Sequence, residues 1–203
     1  MKIGALGGTF DPVHNGHILM AEQALETLGL DKVLLMPAGT PMARPGGNIT
    51  PPGHRLMMLR RAVAGKPRLN VSTMELDRPG PSYTVDTMRE LRRRYGAEAD
   101  IYFILGSDNL ESLKDWREPE TLITLCRLAV IPRPGYPPPE PEALDRAVPG
   151  LSKRIVFMEH PVGDISASAV RELVAQGQLV DHLVPETVAE YIHALQLYTG
   201  GTE

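Results

Sequence analysis

Short apolar runs alternate with longer amphipathic ones along this whole chain, and that alternation limits the fold more than any other feature. The runs at 2–6, 32–36 (KVLLM), 68–73, 100–105 (DIYFIL), 127–131 (RLAVI) and 154–158 (RIVFM) read as strands. The segments at 18–28, 54–64, 84–95, 168–176 and 186–195 read as helices; 54–64 sets Leu56, Leu59 and Val63 on one face, and 84–95 carries Arg92, Arg93 and Arg94 outward. Strands alternating with helices predict an α/β fold with a mostly parallel sheet and helices on both faces. Near-continuous apolar strands fit burial on both sides.

Two stretches break the rhythm, 37–53 (PAGTPMARPGGNITPPG) and 132–141 (PRPGYPPPEP). Strand–helix alternation resumes after each, so they read as long loops inside one domain spanning 1–203. Loops of this length in a compact domain are usually functional. There is no internal repeat.

Composition excludes several classes. A chain of 203 residues can bury a core without staples. One cysteine, Cys126, cannot form an intramolecular disulfide, and in its apolar run it reads as a small buried residue. With no signal-peptide pattern and no apolar run long enough to span a bilayer, the expected location is the cytoplasm, without a membrane partner. The net charge of −4 and the lack of regularly spaced aromatics argue against a nucleic-acid partner.

The candidate chemistry opens the chain. After the first strand comes GGTFDPVHNGH, Gly7 to His17. Gly7 and Gly8 let a ligand approach the backbone. Asn15 reads as a helix N-cap, which puts Gly16 and His17 in a first turn whose N–H groups are free for an anion. His14 and His17 flank that cap as two titratable donors. The run is neither a Rossmann fingerprint nor a P-loop. Incidental capping histidines and a plain strand–helix turn explain it equally well by itself. A metal site is the poorer option, because no neighbouring cysteine or carboxylate cluster completes a ligand set.

A second stretch supplies the context. GGTFDPVHNGH resembles the T/H-x-G-H signature of nucleotidyltransferases, and ISASAVR, Ile165 to Arg171, resembles their second motif, I-S-S-T-x-I-R. Ser166 and Ser168 stand at a helix start, where hydroxyls cap N–H groups or donate to phosphate, and Arg171 follows one turn on as a fork of donors. An ordinary N-cap explains SAS when taken alone.

PSYTVDTMREL (81–91), YFILGSDNLESLKDW (102–116), IPRPGY (131–136) and LVPETVAEYIHALQLY (183–198) resemble the bacterial nicotinate mononucleotide adenylyltransferases, over nearly the whole chain. That resemblance implies a Rossmann-like, doubly wound sheet with a small C-terminal helical part over 165–203. It implies two small-molecule substrates, ATP and nicotinate mononucleotide, joined into deamido-NAD with release of pyrophosphate. It implies that Gly8, Thr9, Phe10, His14, His17, Ile165, Ser166, Ser168 and Arg171 bind ATP, with His17, His14 and Arg171 catalytic. Gly106 and Asp108 would take the ribose hydroxyls. Trp116 would stack on the pyridine ring, Thr84 and Arg117 would offer donors to the nicotinate carboxylate, and Arg133 would sit on the substrate side. Arg55 and the Glu75/Arg78 pair also match the family and read as structural ion pairs. The family's Pro-Pro-His-Lys is replaced here by Pro41-Met42-Ala43-Arg44, in which Arg44 keeps the cation on the substrate side. Mg²⁺ would come with ATP, held by phosphates and water rather than by protein ligands. The rivals are another H-x-G-H enzyme, such as a phosphopantetheine adenylyltransferase, and a nucleotide-binding regulator without turnover.

Overall fold

The computed structural model describes residues 1–41, 49–161, 163 and 165–200. Arg44 and the substituted Met42-Ala43 pair lie outside the described residues.

Six strands among the described residues form one sheet: β1 (Lys2–Gly8), β2 (Lys32–Pro37), β3 (Leu69–Val71), β4 (Asp100–Gly106), β5 (Arg127–Ile131) and β6 (Ile155–Phe157). Their order is β3-β2-β1-β4-β5-β6, and every adjacent pair is parallel. The sheet is therefore parallel throughout the described residues, where the sequence predicts mostly parallel. Among the described residues eight α-helices connect or follow them: α1 (Asn15–Thr27), α2 (Pro52–Ala62), α3 (Met74–Asp77), α4 (Thr84–Tyr95), α5 (Pro119–Leu125), α6 (Pro141–Ala147), α7 (Ala167–Ala175) and α8 (Glu186–Ala194).

Side chains that alternate along a strand must go to opposite faces. Leu6, Val33, Leu35, Ile104, Ala129 and Ile131 join one buried cluster with Ile18 of α1, Met58 of α2, Val170 of α7 and Val188 of α8. Their strand neighbours Ala5, Leu34, Met36, Phe103, Leu105, Leu128 and Val130 join a second cluster with Met74 of α3, Met88 of α4, Leu122 of α5 and Leu144 of α6. The doubly wound architecture follows from this partition. Its order reverses between β1 and β4, and in such sheets ligands bind beyond the carboxyl ends of the strands at that crevice.

The edge strands are shorter than the apolar runs suggest: β3 has three residues and β6 three. Each has a neighbour on one side only, so pairing stops early. The apolar stretch before β5 turns out to be the end of α5, with Cys126 as its C-cap, fully buried. Burial pushes the Cys126 thiol up to about 12, so it stays protonated.

Candidate active site

A cleft of about 610 Å³ opens at the crevice between β1 and β4. It brings together Gly8, Thr9, His17, Thr84, Gly106, Trp116, Arg117 and Arg133. Gly8 and Gly106 are the last residues of β1 and β4. A Cβ on Gly106 would run into the Asp108 carboxylate and close on Arg133, so a side chain there would have to displace that pair.

The two histidines are stacked, with ring centroids 3.7 Å apart, and Phe10 meets His17 edge-on at 4.8 Å. Phe10 is buried at a positive φ of 50°. His14, not Asn15, occupies the N-cap of α1 with extended backbone. This changes the expected anion site. The Asn15 N–H goes to the Leu183 carbonyl (2.8 Å) and the His17 N–H to the His14 carbonyl (2.9 Å), so those donors are taken. In exchange the His14 N–H donates to His17 Nδ1 (3.2 Å). A neutral His17 then carries its proton on Nε2, which makes that nitrogen the donor. Burial and the neighbouring Arg133 hold His14 down at about 4, and His17 is lowered well below its usual value by burial, by His14 and by Arg133. Both rings are neutral near pH 7. The His14 Nδ1 is buried without a hydrogen-bond partner among the described residues.

A second wall comes from α4 and the turn before α5. Thr84 is the first residue of α4, where a backbone N–H has no intrahelical acceptor. Neither its N–H nor that of Arg117 finds an acceptor among the described residues. Trp116 is half-buried, edge-on to Phe103 at 6.0 Å, and its indole N–H donates to the Ser112 hydroxyl (3.3 Å). The Arg117 guanidinium lies 4.7 Å over the Tyr83 ring and 3.7 Å from Asp86. Its charge is therefore largely matched within the wall, and the backbone N–H is the free donor.

The remaining predicted residues flank the cleft without lining it, apart from Arg133. Asp108 does not line the cleft; its carboxylate lies 3.4 Å from Arg133 Nε, and Arg133 itself lines it. His14, Phe10, Ile165, Ser166, Ser168 and Arg171 are likewise not among the residues lining it. Ser166 caps α7 by accepting from the Ala169 N–H (3.1 Å). Arg171 donates to the Asp11 carbonyl (2.6 Å) and to Ser168 Oγ (3.2 Å), which ties the second motif to the loop carrying the histidines. Ile165 lies near Gly16, where an added Cβ would touch it and crowd the His14 ring.

Arg55 is fully buried and binds three backbone carbonyls, of Thr50, Thr9 and Ala38 (2.8–2.9 Å). It acts as a strut between two loops beyond the sheet, where the sequence predicts an ion pair. The expected Glu75/Arg78 pair is not direct either. Arg78 donates to Thr87 Oγ1 (3.0 Å), which donates to Glu75 Oε1 (2.7 Å), while the nearest carboxylate to Arg78 is Glu90 at 3.9 Å.

A cytidylyltransferase-like family profile matches residues 5–173. The chain is 43% identical over 198 residues to a probable nicotinate-nucleotide adenylyltransferase of Dehalococcoides mccartyi, spanning 98% of this chain and 97% of that one. It is 45% identical over 196 residues to a protein of the same description from Roseiflexus, spanning 97% of each. The chain belongs to the nicotinate-nucleotide adenylyltransferase family. A solved nicotinic acid mononucleotide adenylyltransferase of Plasmodium falciparum, complexed with NaAD, superposes with a TM-score of 0.82 over 100% of this chain and 99% of that one. At 19% identity that likeness speaks for the fold.

For a nicotinate-nucleotide adenylyltransferase family member, the cleft holds residues that sequence reasoning passed over as site residues: Pro41, Glu75, Ser82, Tyr83, Asn109 and Asp115. Glu75 is the most informative. It sits in α3, just past the carboxyl end of β3, the side of the sheet where ligands bind, and that position was the available signal.

Proposed function

We propose that this chain joins ATP and nicotinate mononucleotide into nicotinate adenine dinucleotide, releasing pyrophosphate. The observation that carries the reading is one cleft at the β1/β4 crevice, lined by Gly8, Thr9 and His17 of the phosphate motif and by Thr84, Trp116 and Arg117 of the opposite wall. The first set suits a triphosphate. The second suits a planar ring with an anionic substituent: an indole face for stacking, and two free backbone N–H groups for a carboxylate.

The mononucleotide phosphate oxygen attacks the α-phosphorus of ATP in line. The new P–O bond forms as the bond to the β-phosphate oxygen breaks, and the electron pair leaves with pyrophosphate. The nucleophile is already anionic, so neither a general base nor a covalent intermediate is required. Catalysis is positioning plus charge stabilisation. His17, neutral with its proton on Nε2, donates to the α-phosphate oxygens as charge shifts. His14, Ser166, Ser168 and Arg171 hold the β- and γ-phosphates. Gly106 and Asp108 receive the ribose, and Arg44 and Arg133 stand on the mononucleotide side. Among the described residues no His, Cys, Asp or Glu trio is placed to hold a metal ion. Mg²⁺ enters with ATP as part of the substrate, bound to its phosphates and to water, as this ion prefers. The reaction takes place in the cytoplasm.

The test is pyrophosphate release from ATP and Mg²⁺ with nicotinate or nicotinamide mononucleotide as acceptor. Preference for the acid supports the reading. Equal rates retain the reaction and remove Thr84 and Arg117 from carboxylate recognition. Release with neither overturns it.

A further inference from the structure

Glu75 is a carboxylate with no part in the mechanism above, yet it lines the cleft and is only 6% exposed. A buried charge is costly unless it is satisfied. Here a hydroxyl satisfies it. Thr87, itself fully buried, donates to Oε1 at 2.7 Å, and the Ser82 side chain is a neighbour from the loop preceding α4. Both hydroxyls accept a hydrogen bond from another partner. Arg78 donates to Thr87 Oγ1, and the Gly39 N–H donates to Ser82 Oγ at 2.9 Å. The Thr87 hydroxyl accepts from Arg78 and has the Tyr83 carbonyl at 3.4 Å, so its proton goes to the much closer carboxylate oxygen, and this favours the ionised form. Burial pushes Glu75 up from the ordinary carboxylate value, and Thr87, Arg78 and Ser82 oppose that rise.

The surroundings make the charge effective. Glu75 shares the cleft with Tyr83, Thr84, Phe103 and Trp116, and the charged groups Asp115, Arg117 and Arg133 line it as well. No cation pairs with Glu75 directly among the described residues: Arg78 reaches it only through Thr87 and also lies 3.9 Å from Glu90, and Arg117 lies against Asp86 and Glu118. A fixed negative charge beside a ring-stacking face suits a cationic aromatic ligand.

We propose that Glu75 is a specificity-determining residue: its carboxylate is the counter-ion of the pyridinium ring and selects the oxidised, cationic ring over the neutral dihydropyridine. The inference rests on the proposed nicotinate mononucleotide reading. That ring is a quaternary cation with its positive charge at the ring nitrogen. The 1,4-dihydro form has the same ribose phosphate and the same ring carboxylate and no ring charge. Phosphate and carboxylate recognition therefore cannot tell the two apart, and a buried carboxylate can. Through an effective dielectric of about 20, a unit charge alters the binding of an opposite charge about tenfold even at about 12 Å.

The experiment measures kcat/KM by pyrophosphate release at pH 8, where dihydropyridines persist, for nicotinate mononucleotide and its 1,4-dihydro form. It uses the wild type, Glu75→Gln and Glu75→Asp. Wild type is expected to favour the pyridinium at least about tenfold. Glu75→Gln is expected to reduce that ratio about tenfold or more, with the loss falling on the pyridinium substrate, and Glu75→Asp to keep most of it. A merely structural role would lower both substrates together. An unchanged ratio in Glu75→Gln overturns the inference and leaves the proposed function standing. A wild type that turns over both forms equally overturns it without any variant. A wild type inactive with nicotinate mononucleotide overturns the functional reading, and the inference with it.

Discussion

His14 and His17 differ in what their surroundings ask of them. His17 accepts at Nδ1 from a backbone N–H, so its donor nitrogen is fixed before any ligand arrives. Removing one preorganised donor from a developing charge typically costs about 10²–10³ in kcat. His17→Ala is expected to lose at least that much turnover, with its melting temperature near wild type because the ring is only half-buried. Near wild-type kcat would remove His17 from the chemistry. The stacked pair also sets the acid limit of stability. In the folded chain His14 titrates at about 4 rather than 6.5, so the unfolded chain binds the extra proton between those values. Its contribution is fully present above pH 6.5 and is lost as pH falls towards 4; His17 is shifted the same way. A shift of this size corresponds to roughly 3 kcal/mol for His14. Denaturant unfolding between pH 7 and 5 should show stability falling with acid, and His14→Gln should flatten that slope. A slope unchanged in the variant would place the acid sensitivity elsewhere.

At the level of elements, the β1–α1 unit was legible because its signals are local: an apolar strand, two glycines and a polar turn. The cap was misplaced by one residue, since Asn15 is the stronger capping type and His14 takes the position through a contact, the Asn15 N–H to Leu183, made far along the chain. Short helices were missed for a related reason. α3 and α5 have four and seven residues, too few turns to show a period. With α3 unread, Glu75 had no place in the cleft. The Ser166 cap was legible, since Ser before an amphipathic nine-residue helix is a local signal. Its hydroxyl satisfies an α7 backbone N–H, and loss of such a cap costs about 1 kcal/mol. For a chain of this length that equals roughly 2–4 °C in melting temperature. Ser166→Ala is expected to show that fall, and a KM increase for ATP beyond it would mean that the hydroxyl also serves the phosphates. KM unchanged would leave Ser166 as a cap alone.

Across the whole molecule, the two nucleotidyltransferase motifs sit at opposite ends of the chain and meet through hydrogen bonds. Arg171 reaches the Asp11 carbonyl, the Asn15 side chain reaches the His182 carbonyl (3.3 Å), and Tyr198 donates its hydroxyl to Asp11 Oδ1 (2.7 Å). Asp11 is 2% exposed, and its other oxygen accepts the Thr50 N–H (3.3 Å), so one carboxylate joins three loops. Burial and the neighbouring Asp11 raise the Tyr198 pKa, so the phenol keeps its proton and remains the donor. The C-terminal segment thus completes the phosphate side by holding the histidine loop, although no local pattern in the sequence links Tyr198 to Asp11, 187 residues away. Removing the phenolic hydroxyl leaves a buried carboxylate short of a donor, a loss of about 1–3 kcal/mol. Tyr198→Phe should therefore lower the melting temperature by several degrees. If the loop is held from the C-terminus, it should also reduce kcat/KM for ATP while sparing KM for the mononucleotide, whose wall is built from α4 and the turn before α5. Equal losses towards both substrates would show that the tether stabilises the fold without positioning the phosphate side.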